Sequence, residues 1–105
     1  MNDRELLEKA AKAAGIELVW DWEFPNRVKR SGNLAAWNPL EDDGDALRLA
    51  VKLGMNVWCD PAAVCMAEVL KHCLPRASEA SGKDPNAATR RAIVRAAAAI
   101  GESHE

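Results

Sequence analysis

The chain is expected to form a single α+β domain, in which a small antiparallel sheet is packed with two or three helices. Three observations lead there. Residues 3–14, the stretch from Leu40 to Gly54, and Ala88 to Ile100 place apolar residues at helical spacing between residues that start and stop helices. IELVWDW (16–22) instead alternates apolar and polar residues with a period of two, the signature of a strand with one buried face. The 105 residues, 49% hydrophobic and 29% charged, suffice for one modest core, are too few for two, and lie outside the disordered range. The domain is expected to occupy residues 1–102, with 103–105 a frayed tail.

Asp3 is placed to cap the first helix, and Gly15 to close it. Acidic residues lie early and Lys9 and Lys12 late, as the helix dipole favours. Leu6, Leu7, Ala10, Ala11 and Ala14 form its apolar stripe. In the strand that follows, Ile16, Leu18, Trp20 and Trp22 share one face, and Phe24-Pro25-Asn26 ends it. Arg27–Arg30 reads as a short exposed strand, turning at Ser31-Gly32-Asn33 and returning as Leu34–Trp37 until Asn38-Pro39 stops it.

WNPLEDDGDALRLAVKLG, Trp37 to Gly54, combines a Pro-containing turn, an acidic helix start and a helix. The rest of the chain is expected to be organised around it. Its inward face is expected to be Leu47, Ala50 and Val51, flanked by Ala46 and Leu53, with Asp45, Arg48 and Lys52 towards solvent.

Met55–Cys59 reads as a strand. The segment DPAAVCMAEVLKHCLP that follows has two readings: a helix capped by Asp60 with Pro61 in its first turn, or part of a β-meander that turns at Asp60-Pro61. Arg76–Lys83 is polar and turn-like. Asp84 and Pro85 then begin a last helix, with Thr89, Ile93, Ala96, Ala97 and Ile100 as core positions and Gly101 as its stop.

Two blocks, WNPL-x-D-D-G-D-A-L-R-L-A-x-K-L-G and later DP-x-A-A-T-R-R-A-I-V-R-A-A-A-x-I-G, resemble the layout of the NinX-like family of small phage and prophage proteins. That family has a related "NP…DA" element and a closing "NP…RA" helix. The resemblance covers about half of the chain and leaves Asp60–Gly82 unmatched. It implies strands between the two blocks, hence the order α-β-β-α-β-(β-β)-α. It also implies a phage-infected or lysogenic bacterium as the setting, with the protein in the cytoplasm. It brings no catalytic residues.

The formal charge of −2, with both signs interspersed, argues against an electrostatic grip on nucleic acid as the main activity. No apolar run is long enough to span a bilayer, and MNDRELLEK has no apolar core of a signal peptide, so neither a membrane partner nor secretion is expected. Three cysteines are an odd number, leave at least one unpaired, and fit a reduced compartment.

Glu41, Asp42, Asp43 and Asp45 are oxygen ligands in kind. Counting a calcium loop from Gly44 puts Pro39 and Ala50 at ligand positions, however, so the cluster reads as a helix start. Cys59, Cys65, Cys73 and His72 lack the paired spacing of a zinc site, and the three cysteines read as half-buried thiols. Neighbouring His72 and Cys73 make a poor catalytic dyad. No enzyme, cofactor or metal is therefore expected.

The remaining site residues are cations and tryptophans. Arg27, Lys29 and Arg30 on the hairpin, with Arg90, Arg91 and Arg95 on the last helix, could form a patch for nucleic acid or an acidic protein; the plainer reading is a solvated helix face. Four tryptophans stand beside one phenylalanine and no tyrosine. Core packing is the plainer role for each, while Trp37 and Trp58, near strand ends, are expected to be partly exposed and able to anchor a partner. The expected function is a non-catalytic module that binds a host or phage protein. The alternative is a nucleic-acid-associated factor using the basic residues, and a homodimer through an exposed tryptophan or a sheet edge stays open.

Overall fold

A computed structural model describes residues 2–69 and 76–103. The order is α1 (Asp3–Ala14), β1 (Leu18–Asp21), β2 (Phe24–Val28), β3 (Leu34–Ala36), α2 (Asp43–Leu53), β4 (Asn56–Cys59), β5 (Val64–Glu68), β6 (Arg76–Ala80) and α3 (Pro85–Ser103). The fold is α+β. Its strands form two antiparallel three-stranded sheets, β1-β2-β3 and β4-β5-β6, where one sheet was expected.

The centre of the molecule is α3 and not the Trp37–Gly54 stretch. It touches α1, α2 and all three strands of the second sheet. Ala92, Ile93, Val94, Ala96, Ala97, Ala98 and Ile100 are buried, so its alanine-rich stretch is covered on several sides. Asp84 accepts a hydrogen bond from the Ala87 N–H (3.1 Å), the expected cap. Thr89 is half-buried, its hydroxyl donating to the Pro85 carbonyl (2.8 Å). Gly101 does not end the helix, which continues to Ser103. A Cβ at Gly101 would fall on the Lys9 carbonyl of α1, so this glycine marks a close approach of two helix backbones.

In α1, Leu6, Leu7, Ala10, Ala11 and Ala14 are buried as expected. The cap lies one residue earlier than expected: Asn2 accepts from the Glu5 N–H, and Asp3 pairs with Arg91 instead. Gly15 at φ 70° closes the helix, its N–H reaching the Ala11 and Lys12 carbonyls.

The first sheet differs from the sequence pattern at its turn. β1 stops at Asp21, Trp22 and Glu23 form the loop, and Phe24 already pairs with Asp21. Phe24-Pro25-Asn26 therefore belongs to β2. Pro25 fits this middle strand because its carbonyl accepts from the Trp37 N–H. A residue's N–H and C=O point to the same side of a strand, so the missing N–H would face the side on which β3 has already ended.

Asn38 N–H donates to Asp45 (3.0 Å), which also accepts from Arg48 (2.7 Å). Asp42 caps α2 by accepting from the Asp45 N–H (2.8 Å). These bonds set the helix rotation: Asp45, Ala46, Leu49 and Ala50 are buried, while Leu47 and Val51 are 64% and 72% exposed. The expected inward face is thus wrong by part of a turn. LRLAVKL admits two apolar stripes, and the one containing two alanines and the anchored Asp45 is the one packed.

The segment after Asp60 forms strands. Asp60 accepts from the Ala62 N–H (2.9 Å) in a tight turn, and β5 alternates buried Cys65 and Ala67 with half-buried neighbours. Arg76–Ala80, read as a turn, is strand β6, paired along β5 from Val64↔Ala80 to Glu68↔Arg76. The part of this segment that holds His72 and Cys73 lies outside the described residues.

Candidate functional site

The arginines of α3 are engaged within the fold. Arg90, largely buried, donates to the Leu40 carbonyl (2.9 Å) and to Asp43 (2.6 Å), tying α3 to the start of α2. Arg91 pairs with Asp3 at 3.0 Å and lies 3.9 Å from Glu79. Arg95 pairs with Glu79 and donates to the Ser78 carbonyl (3.1 Å). These cations clamp α3 to its neighbours and do not present a free basic face. The acidic cluster has the same character: Asp42 caps, Asp43 meets Arg90, and Asp45 anchors the turn.

The tryptophans separate into different roles. Trp37 is buried, which corrects the expectation of partial exposure; it follows β3 directly and packs into the core. Trp58 on β4 is 49% exposed. Trp20 is half-buried, with the Arg4 guanidinium 4.3 Å above its ring; its indole N–H has no hydrogen-bond partner among the described residues. Trp22 does not share the core-facing side of β1. It is 88% exposed at φ 59°, a left-handed conformation uncommon for such a residue, and Phe24 beside it is 70% exposed.

The β1–β2 turn therefore carries two large aromatic side chains in solvent. The alternation of 16–22 runs on into the turn, so Trp22 could not be told from a strand residue by periodicity. Glu23 of the same turn borders a cleft of about 570 Å³ that has Trp20 and Arg4 in its wall.

A second cleft, also about 570 Å³, gathers Arg27, Arg30 and Trp37 with Arg48 and Lys52 of α2. Lys29 is exposed and does not line it. The sequence pattern places Arg48 and Lys52 only on a solvent face of α2; their position beside the hairpin cations depends on the tertiary fold. On the other flank of α2, Leu47 borders a shallow apolar groove of about 230 Å³ with Val57 of β4.

Cys59 and Cys65 face each other across β4 and β5 and are joined by a disulfide, with Cα atoms 3.9 Å apart. They are not the separate thiols expected, because the tight turn between them makes them direct cross-strand partners. Among the described residues no cluster of His, Cys, Asp or Glu could hold a metal ion, and no helix is long and apolar enough to cross a membrane. No protein-family model, curated protein or solved structure matches the chain.

Proposed function

We propose that the protein is a non-catalytic module that binds another protein through the aromatic tip of its β1–β2 hairpin. The observation that carries this is the exposure of Trp22 and Phe24 together, with Trp22 in a left-handed backbone conformation. Holding a tryptophan there costs on the order of 1 kcal/mol and leaves the side chain largely in solvent. Tryptophan is enriched among interface residues whose truncation costs more than about 2 kcal/mol, so burial against a partner would more than recover that cost. The partner chemistry that fits is an apolar pocket wide enough for two aromatic rings.

The two phage-like sequence blocks make a host or phage protein in the bacterial cytoplasm the partner we favour. In that reducing compartment Cys59 and Cys65 would stand as a dithiol. The nucleic-acid alternative rests on fewer residues than the sequence offered, since Arg90, Arg91 and Arg95 are matched by carboxylates.

The test is affinity capture from bacterial lysate by the wild-type chain and by the Trp22→Ala/Phe24→Ala variant, each with and without nuclease. Both side chains are exposed, so the variant should melt as the wild type does. A stoichiometric protein that survives nuclease and is lost with the variant is the expected result. Capture that depends on nucleic acid, or that the variant leaves intact, would overturn the proposal.

A further inference from the structure

We infer that the cleft between the first hairpin and α2 binds a phosphorylated small molecule of about nucleotide size. Its cations are Arg27, Arg30, Arg48 and Lys52, and among the described residues no carboxylate lines it. Arg48 is committed to Asp45 at 2.7 Å. Arg27, Arg30 and Lys52 have no carboxylate partner among the described residues, in contrast to the three arginines of α3.

Arg27 is the informative member. It pairs in register with Leu18 on one side and Ala35 on the other, so it stands on the sheet face that carries Leu18, Trp20 and Pro25 towards the core. It is half-buried there. A guanidinium on this face has no counter-charge among the described residues, and an external anion would supply what the chain does not.

The floor of the cleft is apolar, formed by buried Trp37 and Leu49. Its volume of about 570 Å³ lies within the range of small-molecule sites. Cations at the rim over an apolar floor suit a ligand with one strongly anionic end and a less polar body. A phosphoryl or pyrophosphoryl group matches the forked donors of two arginines, and a lysine adds a point charge. A nucleic-acid strand fits less well, because it needs a continuous cationic track and the three arginines of α3 are already neutralised. On α2, Arg48 and Lys52 lie on one flank of the buried stripe and Leu47 on the other, so the cleft is separate from the apolar groove.

Titration calorimetry of the full chain at low ionic strength, with inorganic pyrophosphate and separately with ADP, tests this. Saturable one-to-one binding of either probe is expected. Arg27→Gln or Lys52→Gln should weaken it by about tenfold or more, while Lys29→Gln, outside the cleft, should change it less than about twofold. Tighter binding of ADP than of pyrophosphate would support recognition of the body as well as the phosphates. Thermal melts verify that each variant folds, and Arg30→Gln, at an exposed turn residue, provides a variant that leaves the sheet face unchanged.

Three results would overturn the inference. One is no binding of either probe at millimolar concentration. Another is equal weakening by Lys29→Gln, which marks diffuse attraction. The third is an oligodeoxythymidine that binds more tightly than ADP and competes with it, which would assign these cations to a nucleic-acid backbone.

Discussion

Replacing Gly101 by alanine sets two calculable effects against each other. Within a helix, glycine to alanine gains about 1 kcal/mol from backbone entropy alone. Against this, the new Cβ would fall on the Lys9 carbonyl oxygen, 2.8 Å from its carbon and 3.3 Å from its Cα. All three atoms are backbone, so no rotamer change relieves the overlap. The α1 and α3 helices would have to separate by roughly 1 Å, enough to forfeit about a quarter to a half of each local dispersion contact. That loss extends along the small-residue seam in which Ala10, Ala14, Ala96 and Ala97 are buried. Overpacking of this kind costs about 3 kcal/mol, which leaves a net destabilisation of about 2 kcal/mol. For a domain of this size Tm should fall by on the order of 10 °C. Urea denaturation reads the same quantity as a lower midpoint at an unchanged slope. An increase in midpoint would refute the reasoning and show that the helix seam accommodates a Cβ at Gly101.

Asp45→Ala should cost about 2 kcal/mol, because this buried carboxylate accepts from both the Asn38 N–H and Arg48, whereas Arg48→Ala should cost less than about 1 kcal/mol, its side chain being mostly exposed; chemical denaturation of the two variants should separate them. Reducing the Cys59–Cys65 bond, whose partners are 6 residues apart, should lower stability by about 2 kcal/mol or somewhat less. The freed Cys65 thiol regains an acceptor in the Pro85 carbonyl 3.5 Å away, and an identical urea midpoint with and without reductant would contradict this account. Asp84→Ala should cost about 1 kcal/mol in thermal melts through loss of the α3 cap. Leu47→Asp with Val51→Asp should change stability by less than about 1 kcal/mol, since both are exposed; a large loss would restore them to the core.

The parts of the fold legible in the sequence are those whose cause is local. Gly15 and Gly54 close helices through left-handed conformations that few other residues adopt. Asp84 with Pro85 announces α3, and the stripe of α1 has only one reading. What failed was decided by distant partners. Leu47, Leu49, Val51 and Leu53 could each have faced inward, and the choice followed from Asp45 gripping the Asn38 N–H. Residues after Asp60 have helical propensity, yet Cys65 and Ala67 needed the packing surface of α3 to become the inner face of a strand.

The site was legible only in fragments. Arg27, Lys29 and Arg30 could be picked out as cations, but the cleft takes Arg27 and Arg30 and omits Lys29. Its other half, Arg48 and Lys52, comes from a helix whose rotation the local pattern does not determine. Arg90, Arg91 and Arg95 look like a basic face until Asp43, Asp3 and Glu79 are brought to them from elsewhere in the chain. Trp22 was hidden because a hairpin loop can continue the alternation of the strand before it.

The most direct test of the binding-module account is amide hydrogen exchange on the purified chain with and without the protein it captures. Slowed exchange centred on residues 21–24, with little change along α3, is the expected result. Protection confined to other surfaces, with the hairpin tip exchanging as freely as in the unbound chain, would contradict it.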